Sequence, residues 1–245
     1  MFHPLCSSSL TLYGDECLAH GGCCCLIVLQ HLGEHGAWCK QSNFEAVARV
    51  PLIIHTPDMQ HGGRTASLVE MVDLMPTLLE LAEIRIRDHT ELEGTSLVPL
   101  LKQLTATPPA AAAAAAVWTK NATFTQYPRC CGAKNTASHN LPCSATNPFD
   151  TSNQCTTTNS TIFYAMGYSI RTAQWRYTRW MAWDGAALRP RWAEVVGEEL
   201  YDHRADTGYY DIDGFENSNL AGDPAWSSTV QPGLAAALRA QISYS

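Results

Sequence analysis

The most constraining feature of the sequence is a segment in which aromatic and β-branched residues alternate with polar ones. It covers residues 175–183, with a shorter example at 169–172. Side chains of a β-strand point alternately to the two faces of a sheet, so this period of two is typical of antiparallel strands. We therefore predict a small antiparallel sheet from residues 164–172 and 175–183. Its aromatic residues are expected to pack on one face, and a stacking platform for a ligand is the alternative.

The first half of the chain carries two short runs that are continuously apolar, residues 24–29 and 50–55. Such runs are typical of neighbouring strands buried on both faces of a parallel sheet. Neither approaches the roughly 18 residues that a membrane span requires, which excludes a transmembrane protein. Apolar residues at helical spacing predict an amphipathic helix over 67–84, capped by Asp73, and a terminal helix over 234–242.

Composition divides the chain into four regions. Residues 1–22 are small, polar and irregular, and residues 23–105 carry the strand and helix signals of an α/β domain. Residues 106–163 contain an alanine run and a loop-like stretch rich in Cys, Thr, Asn and Ser, which are typical of an insertion or linker. Residues 164–245 hold the predicted antiparallel sheet. The order indicates an α/β part followed by a small α+β part.

Charge and cysteine placement narrow the function classes. Sixteen Lys and Arg against 23 Asp and Glu give a net charge of −7, so a nucleic-acid binder is disfavoured. Two glycosylation acceptors, at Asn121 and Asn159, bracket the cysteines at positions 130–155, a combination that indicates an oxidising compartment. The first Lys or Arg is Lys40, however, so no positively charged segment precedes the short apolar run and no signal peptide can be read.

Two other groups look like metal ligands, but we expect neither to bind a metal. Cys23, Cys24 and Cys25 are adjacent on a predicted strand, where successive side chains point to opposite faces and cannot converge on one ion. The pair Asp202 and His203 follows a predicted strand end, where a structural role is expected.

Several collinear strings resemble the sulfatase family. GEHGAWCK at 33–40, followed by RVPLII at 49–54, resembles a family segment that leads into a strand. VDLMPTLL at 72–79 and LEGTSL at 92–97 resemble the helix and turn that come next. Later strings look closest to iduronate-2-sulfatases: FTQYPR at 124–129, MGYSIRT at 166–172, WRYT at 175–178 and ELYD at 199–202. The resemblance covers about residues 32–105 and 124–224.

This resemblance implies a fold and an activity. The fold is a partial alkaline-phosphatase-like sheet sandwiched by helices, with a small C-terminal α+β subdomain that contains an antiparallel sheet. The activity is hydrolysis of sulfate esters on glycosaminoglycan-type sugars, in a lysosomal, lumenal or secreted location. The expected partners are a sulfated sugar and a missing N-terminal half. Family members use a calcium ion and a formylglycine made from the Cys of a Cys-x-Pro-x-Arg motif.

The sequence departs from the family at both of those chemical groups. None of the ten cysteines is followed two residues later by proline. The positions of the family's metal-binding Asp and His fall on Ile27 and Val28, which offer no oxygen ligand to calcium. We therefore expect no metal ligands and no formylglycine in this chain, and no hydrolysis by the chain alone.

What the resemblance retains is a candidate substrate site. Lys40 matches the family lysine that contacts the sulfate, a role that suits an ammonium group, and a solvated loop lysine is the alternative. His35 and Trp38 are candidate substrate contacts, with a hydrogen-bonded structural histidine and a packing tryptophan as alternatives. Glu34 lacks the companion nucleophile or acid that a general base needs. The second hypothesis is a non-catalytic lumenal domain that binds anionic glycans through Lys40 and Arg171.

Overall fold

A computed structural model describes residues 23–26, 31–39, 42–57, 59, 62–85, 92–105, 118–129, 160–208 and 214–242. Only the backbone is described at 23–26, 38, 39 and 162. The alanine run, the cysteine-rich stretch, Ile27, Val28 and Lys40 lie outside the described residues, as do the ends of the chain. The chain divides into two compact units. We call them the sheet unit, which contains Cys25–Leu52 and Phe124–Ser245, and the helical unit, which is mainly Ile53–Thr123.

The N-terminal elements are short. Strands β1 (Cys23–Leu26) and β4 (Leu52–His55) form one two-stranded sheet, and β2 (His31–Leu32) and β3 (Trp38–Cys39) form another. The predicted strands within 24–29 and 50–55 are thus present and paired. The predicted burial of the second run is wrong, because its residues are alternately half-covered and exposed, and Ile53 is 60% exposed.

The helical unit contains helices α2 (Leu74–Leu81) and α3 (Val98–Thr105), while the single turn α1 (Glu45–Ala48) belongs to the sheet unit. The predicted helix over 67–84 is therefore too long. A 3-10 turn over Met71–Asp73 precedes α2, and the Asp73 carboxylate accepts the backbone N–H of Glu70 at 2.8 Å. This reciprocal capping fixes where helical structure can begin.

The face of α2 that is buried also differs from the prediction. Thr77 is 1% exposed, whereas Met75 and Leu78 of the predicted apolar face are 56% and 51% exposed. Thr77 Oγ1 donates to the carbonyl of Asp73 at 2.5 Å and accepts the N–H of Leu97 at 2.8 Å. Hydrogen bonding to the turn before α3, rather than leucine packing, therefore decides which side of α2 faces inward.

The sheet unit is built on a four-stranded sheet. Its strands are β5 (Ala122–Arg129), β6 (Ala165–Thr172), β7 (Trp175–Asp184) and β8 (Arg189–Asp202), in the order β5-β6-β7-β8. Strand β6 pairs antiparallel with β7, and β7 with β8. This confirms the two predicted strands, whereas β8 extends far beyond the strand end expected at 199–202.

Aromatic side chains form much of the core of this unit. Tyr168, Trp175, Tyr177 and Trp180 are each at most 7% exposed, so these rings serve packing and not a surface platform. Two helices follow the sheet, α4 (Pro224–Ser227) and α5 (Gln231–Ile242). Helix α5 confirms the predicted terminal helix and begins three residues earlier. Its Leu238 is 1% exposed.

The described residues therefore combine helices with an antiparallel sheet, and the mixed α and β composition is confirmed. Among them, no helix has both the length and the apolar character needed to cross a bilayer. The four-region division of the chain stays a prediction.

Candidate functional site

The string at 33–40 begins with a tight turn between β2 and β3. Gly33 N–H donates to the carbonyl of Ala37 at 3.1 Å, and Gly36 N–H donates to that of Gly33 at 3.0 Å. Gly33 and Gly36 have φ values of 129° and 66°. Glycine reaches such angles without a Cβ clash, so the turn itself accounts for both glycines of the string.

His35 lies at the tip of this turn in a conformation that few side chains adopt. Its φ is 55° and its ψ is 21°, in the left-handed region. The ring stacks on Phe44 with a centroid distance of 4.0 Å and an interplanar angle of 3°, and the His31 ring meets it edge-on at 5.8 Å. Nε2 of His35 is buried, yet no described residue hydrogen-bonds to it. The described contacts thus hold His35 by ring packing and not by hydrogen bonds.

Glu34 stabilises the same turn. Its Oε2 accepts the backbone N–H of Leu32 at 2.5 Å, and this hydrogen bond holds the pKa of the exposed carboxyl below its usual value. A lowered pKa makes a carboxylate a weaker base. Glu34 is therefore part of the turn and poorly suited to general base catalysis.

The segment that follows Lys40 is attached to the sheet unit at several points. His31 Nε2 and Ser42 Oγ are 2.7 Å apart, and Asn43 Nδ2 donates to the carbonyl of Gly167 on β6 at 3.2 Å. The ring of Phe44 lies 6.0 Å from that of Tyr201 on β8. Backbone positions two to four residues after Lys40 are thus fixed against the antiparallel sheet.

Next to this segment lies a group of charged side chains, buried except for the half-buried Arg49, which we call the ion cluster. Three basic side chains, three acidic side chains and one histidine form it: Arg49, Arg171, Arg176, Glu45, Asp206, Glu216 and His203. All seven belong to the sheet unit. They come from α1 and its C-terminal end, from β6 and β7, and from the segments after β8.

One side of the ion cluster is centred on Glu45 and Glu216. Arg176 Nη2 lies 3.1 Å from Glu45 Oε1, and Arg176 Nε lies 2.5 Å from Glu216 Oε1. Arg171 Nε also donates to Glu45 Oε1, and the backbone N–H of Glu45 donates to Glu216 Oε2 at 2.6 Å. The first side chain of α1 therefore contacts two arginines of the sheet, and its first backbone donor contacts Glu216 in the turn over Gly214–Glu216.

The other side is centred on Asp206. Its Oδ2 lies 3.0 Å from Arg171 Nη2, 3.2 Å from Arg49 Nη1 and 3.1 Å from His203 Nδ1. His203 Nε2 in turn lies 3.2 Å from Glu216 Oε1. Both ring nitrogens of this fully buried histidine therefore face carboxylates, and the structural role expected for His203 stays a prediction.

The charged side chains of the ion cluster shift one another's pKa values. Burial alone would raise the pKa of Glu216, but the charge of Arg176 and the hydrogen bonds from His203 and the Glu45 N–H together lower it. Burial likewise acts to raise the pKa of Asp206, and the Gly208 N–H, His203 and the nearby arginines lower it overall. The pKa of Arg176 is raised by the two glutamates against the effect of burial. Asp206 and Glu216 are thus ionised at neutral pH.

Among the described residues, Glu45, His203 and Glu216 are the one group of three acidic or histidine side chains close enough to hold a cation. The oxygens that a metal would need already face Arg171 and Arg176. Two guanidinium groups beside the same carboxylates repel a further cation. The donor set does not fit calcium.

The outcomes for the predicted site residues are mixed. Lys40 and the side chain of Trp38 lie outside the described residues, so their roles stay predictions. Arg171 is 7% exposed and engaged by Glu45 and Asp206, so its predicted glycan contact is wrong. Sequence reasoning missed the ion cluster, although the charged residues Arg171 and Arg176 inside apolar strands are the signal of buried partners.

Comparison with known proteins shows which proteins this chain is similar to. Residues 33–115 match the family described as N-sulphoglucosamine sulphohydrolase, C-terminal. Iduronate 2-sulfatase of Mus musculus is 28% identical over 234 residues, covering 78% of this chain and 36% of the relative, and the Homo sapiens enzyme is 26% identical over the same shares. Arylsulfatase K of Xenopus laevis is 38% identical over 68 residues, covering 28% of this chain and 12% of the relative.

The chain thus spans about a third of the length of the iduronate 2-sulfatases it matches. The matching family is a C-terminal one, and its range contains the hairpin turn and both helices of the helical unit. Together these matches show that the chain resembles the C-terminal half of a sulfatase, with the iduronate 2-sulfatases among its relatives.

Proposed function

We propose that this chain is the C-terminal part of a sulfuric ester hydrolase that acts on sulfated glycosaminoglycan-type sugars, in a lysosomal, lumenal or secreted compartment. The observation that carries the proposal is the match to iduronate 2-sulfatases over 78% of the chain. The turn at 33–37 lies within the range that matches the C-terminal sulphohydrolase family. The chain covers 36% of these relatives, and we therefore propose the activity for the whole protein and not for this chain alone.

Within this function, Lys40 contacts the sulfate and His35 and Trp38 contact the sugar. An ammonium group is a compact point charge that suits a sulfate oxygen. The left-handed conformation of His35 supports the assignment, because strained backbone conformations cluster at active sites and ligand clamps.

The relatives suggest calcium and formylglycine, but the residues present do not fit either group. The chain contains no Cys-x-Pro-x-Arg sequence, and Ile27 and Val28 occupy the expected Asp and His positions. The carboxylates of the ion cluster are neutralised by arginines. This chain therefore contributes substrate contacts and no step of sulfate transfer.

A non-catalytic lumenal binding domain is the second candidate, and the missing nucleophile favours it. In this second hypothesis the domain holds anionic glycans through Lys40 and Arg171. Because Arg171 is buried and paired, only Lys40 of that pair remains for a ligand. The two candidates then differ in activity and not in the residue that binds sulfate.

Calorimetric titration of the purified chain with a 2-O-sulfated uronic acid disaccharide tests the proposal, with the unsulfated disaccharide as control. We expect binding of the sulfated sugar alone and a loss of about tenfold in affinity in Lys40→Ala, as for removal of one charge contact worth about 1.4 kcal/mol. Lys102→Ala, on the exposed face of α3, is the matched control and should bind as the wild type does. A folded wild-type chain that does not distinguish the two sugars contradicts the proposal.

Release of an aryl alcohol from an aryl sulfate, with calcium present, separates the two candidates. We expect no turnover by this chain alone, because an activated nucleophile and the charge stabilisation of a metal are both missing. Turnover that Lys40→Ala abolishes would show that this chain carries the chemistry by itself.

A further inference from the structure

Two acceptor sequences for N-linked glycans occur in the chain, and the proposed function uses neither. They are Asn121-Ala122-Thr123 and Asn159-Ser160-Thr161. Both fit the Asn-x-Ser/Thr pattern with a residue other than proline in the middle. Asn159 lies outside the described residues, so the structure bears on Asn121.

Asn121 is an exposed residue at the point where β5 begins. The chain just before it is fixed within the helical unit. Trp118 Nε1 donates to the carbonyl of Leu68 at 3.0 Å, and Lys120 Nζ lies 2.7 Å from Oδ1 of the buried Asp73. Asn121 therefore follows an anchored segment whose contacts come from its neighbours.

The same contacts show that a modification of Asn121 would leave the anchored segment undisturbed. Trp118 and Lys120 are half-buried and make the tertiary contacts of the segment, while Asn121 is exposed beside them. A bulky, hydrophilic group on the Asn121 side chain would extend into solvent and leave the buried Lys120–Asp73 pair intact. The fold thus tolerates a glycan on Asn121.

We propose that Asn121 is an N-glycosylation site. The inference rests on the lumenal location in the proposed function, because the transferase acts in the secretory pathway. The donor is an oligosaccharide linked through pyrophosphate to a lipid. The amide nitrogen of Asn121 forms a bond to the anomeric carbon as the bond from that carbon to the pyrophosphate oxygen breaks. The lipid pyrophosphate leaves with the electron pair, and the amide gives up one proton.

The full chain, fused behind an export signal and translated with endoplasmic reticulum microsomes, tests this site. Asn159→Gln is introduced throughout, so that only Asn121 can react. In protease-protected chains we expect one mobility shift that peptide N-glycosidase removes. Asn121→Gln and Thr123→Val should abolish the shift, and Thr123→Ser should retain it, because the hydroxyl is what the acceptor sequence requires. Glycosidase treatment in heavy-oxygen water should convert Asn121 to labelled Asp in the peptide mass spectrum.

Protease-protected chains with an unmodified Asn121 would overturn the inference, as would a shift that survives Thr123→Val. Modification is scored during translocation, so misfolding of a variant does not obscure the result. The readout is also independent of sulfate binding. A chain that is glycosylated on Asn121 but fails to bind the sulfated disaccharide refutes the proposed function alone. A chain that binds the sulfated disaccharide, but whose Asn121 stays unmodified in the microsomes, refutes only this inference.

Discussion

Arg176 on β7 and Glu216 form a buried ion pair, with 2.5 Å between Nε and Oε1. The arginine is 2% exposed and the glutamate 1%. The same guanidinium reaches Glu45, which belongs to a part of the chain more than 120 residues earlier. Because water cannot solvate these charges, each depends on the others for compensation.

Substitution of Arg176 by Met should therefore destabilise the sheet unit strongly. Removing one partner of a buried ion pair leaves an uncompensated charge and typically costs about 3–5 kcal/mol. Urea denaturation followed by tryptophan fluorescence measures the loss. Arg191→Met is the matched control, since the Arg191–Glu194 pair is exposed and 3.5 Å long, and its unfolding free energy should stay within about 0.5 kcal/mol of wild type. Equal effects of the two substitutions would contradict the importance of the ion cluster.

Glu199 on β8 should show the opposite behaviour. It is 8% exposed and accepts the indole N–H of Trp180 at 2.9 Å, and burial raises its pKa in spite of that hydrogen bond. The folded protein thus binds the proton more tightly than the unfolded chain, so the ionised form costs stability above the folded pKa. Glu199→Gln keeps an acceptor oxygen without the charge and should be more stable than wild type at pH 7.

The gain from Glu199→Gln should disappear as the pH falls below the unfolded value of about 4.3, where the wild-type carboxyl is protonated in both states. Thermal unfolding between pH 3 and pH 7 measures it. Glu194→Gln, at an exposed position on the same strand, serves as the control and should leave the pH dependence unchanged. A Glu199→Gln protein that is less stable at pH 7 would show that the carboxylate, not the carboxylic acid, suits this environment.

Asp206 provides a test of the ion cluster from the acid side. Its pKa is lowered in the folded protein, so its contribution to stability is present above the unfolded value of about 3.9 and is lost as the pH falls through the folded pKa. Asp206→Asn should therefore be less stable than wild type at pH 6–7, with a difference that shrinks in more acidic solution. Asp223→Asn is the control. Asp223 caps the N-terminus of α4, and asparagine caps a helix about as well as aspartate does. A difference that persists unchanged at pH 2 would exclude a charge effect.

The sequence predicts the antiparallel sheet well and the ion cluster not at all, for a physical reason. The alternation at 175–183 is a local property that a strand displays wherever it lies. The cluster joins Glu45 to Arg171 and Arg176, which only the tertiary fold brings together. Charged residues within an apolar strand indicate that oppositely charged partners exist, but they do not indicate which residues those partners are. The role of Lys40 stays a prediction from resemblance.

In helix α2 the buried face differs from the face that the local sequence pattern predicts. Helical spacing indicates an apolar face, yet the buried residue of the helix is Thr77. Its hydroxyl is the acceptor for the N–H of Leu97, which is 2% exposed. Thr77→Val keeps the shape of the side chain and removes this acceptor. Leaving a buried N–H unsatisfied should cost about 1–3 kcal/mol in unfolding free energy.

Thr105→Val is the matched control for Thr77→Val. The Thr105 hydroxyl donates to the carbonyl of Leu101 at 3.0 Å on the half-buried part of α3, and its loss leaves no described N–H without an acceptor. Its effect on the denaturation midpoint should be clearly smaller than that of Thr77→Val. Equal midpoints for the two variants would show that the hydrogen bond to Leu97 contributes nothing.

The opposite side of α2 leads to a prediction about association. Met71, Val72, Met75 and Leu78 are 57%, 47%, 56% and 51% exposed, and together they form an apolar surface beside the start of the helix. Contiguous apolar surface of this kind promotes self-association. The double substitution Met75→Gln and Leu78→Gln should therefore reduce light scattering by the purified chain at micromolar concentration. Its unfolding free energy should change little, because exposed positions contribute little packing.

Leu100→Gln distinguishes this effect from a general change in hydrophobicity. Leu100 is 5% exposed on α3, so a polar side chain there should destabilise the helical unit and increase scattering. Sedimentation velocity measures the associated fraction for all three proteins. A wild-type chain that sediments as a monomer throughout the concentration range would show that the apolar surface on α2 does not drive association.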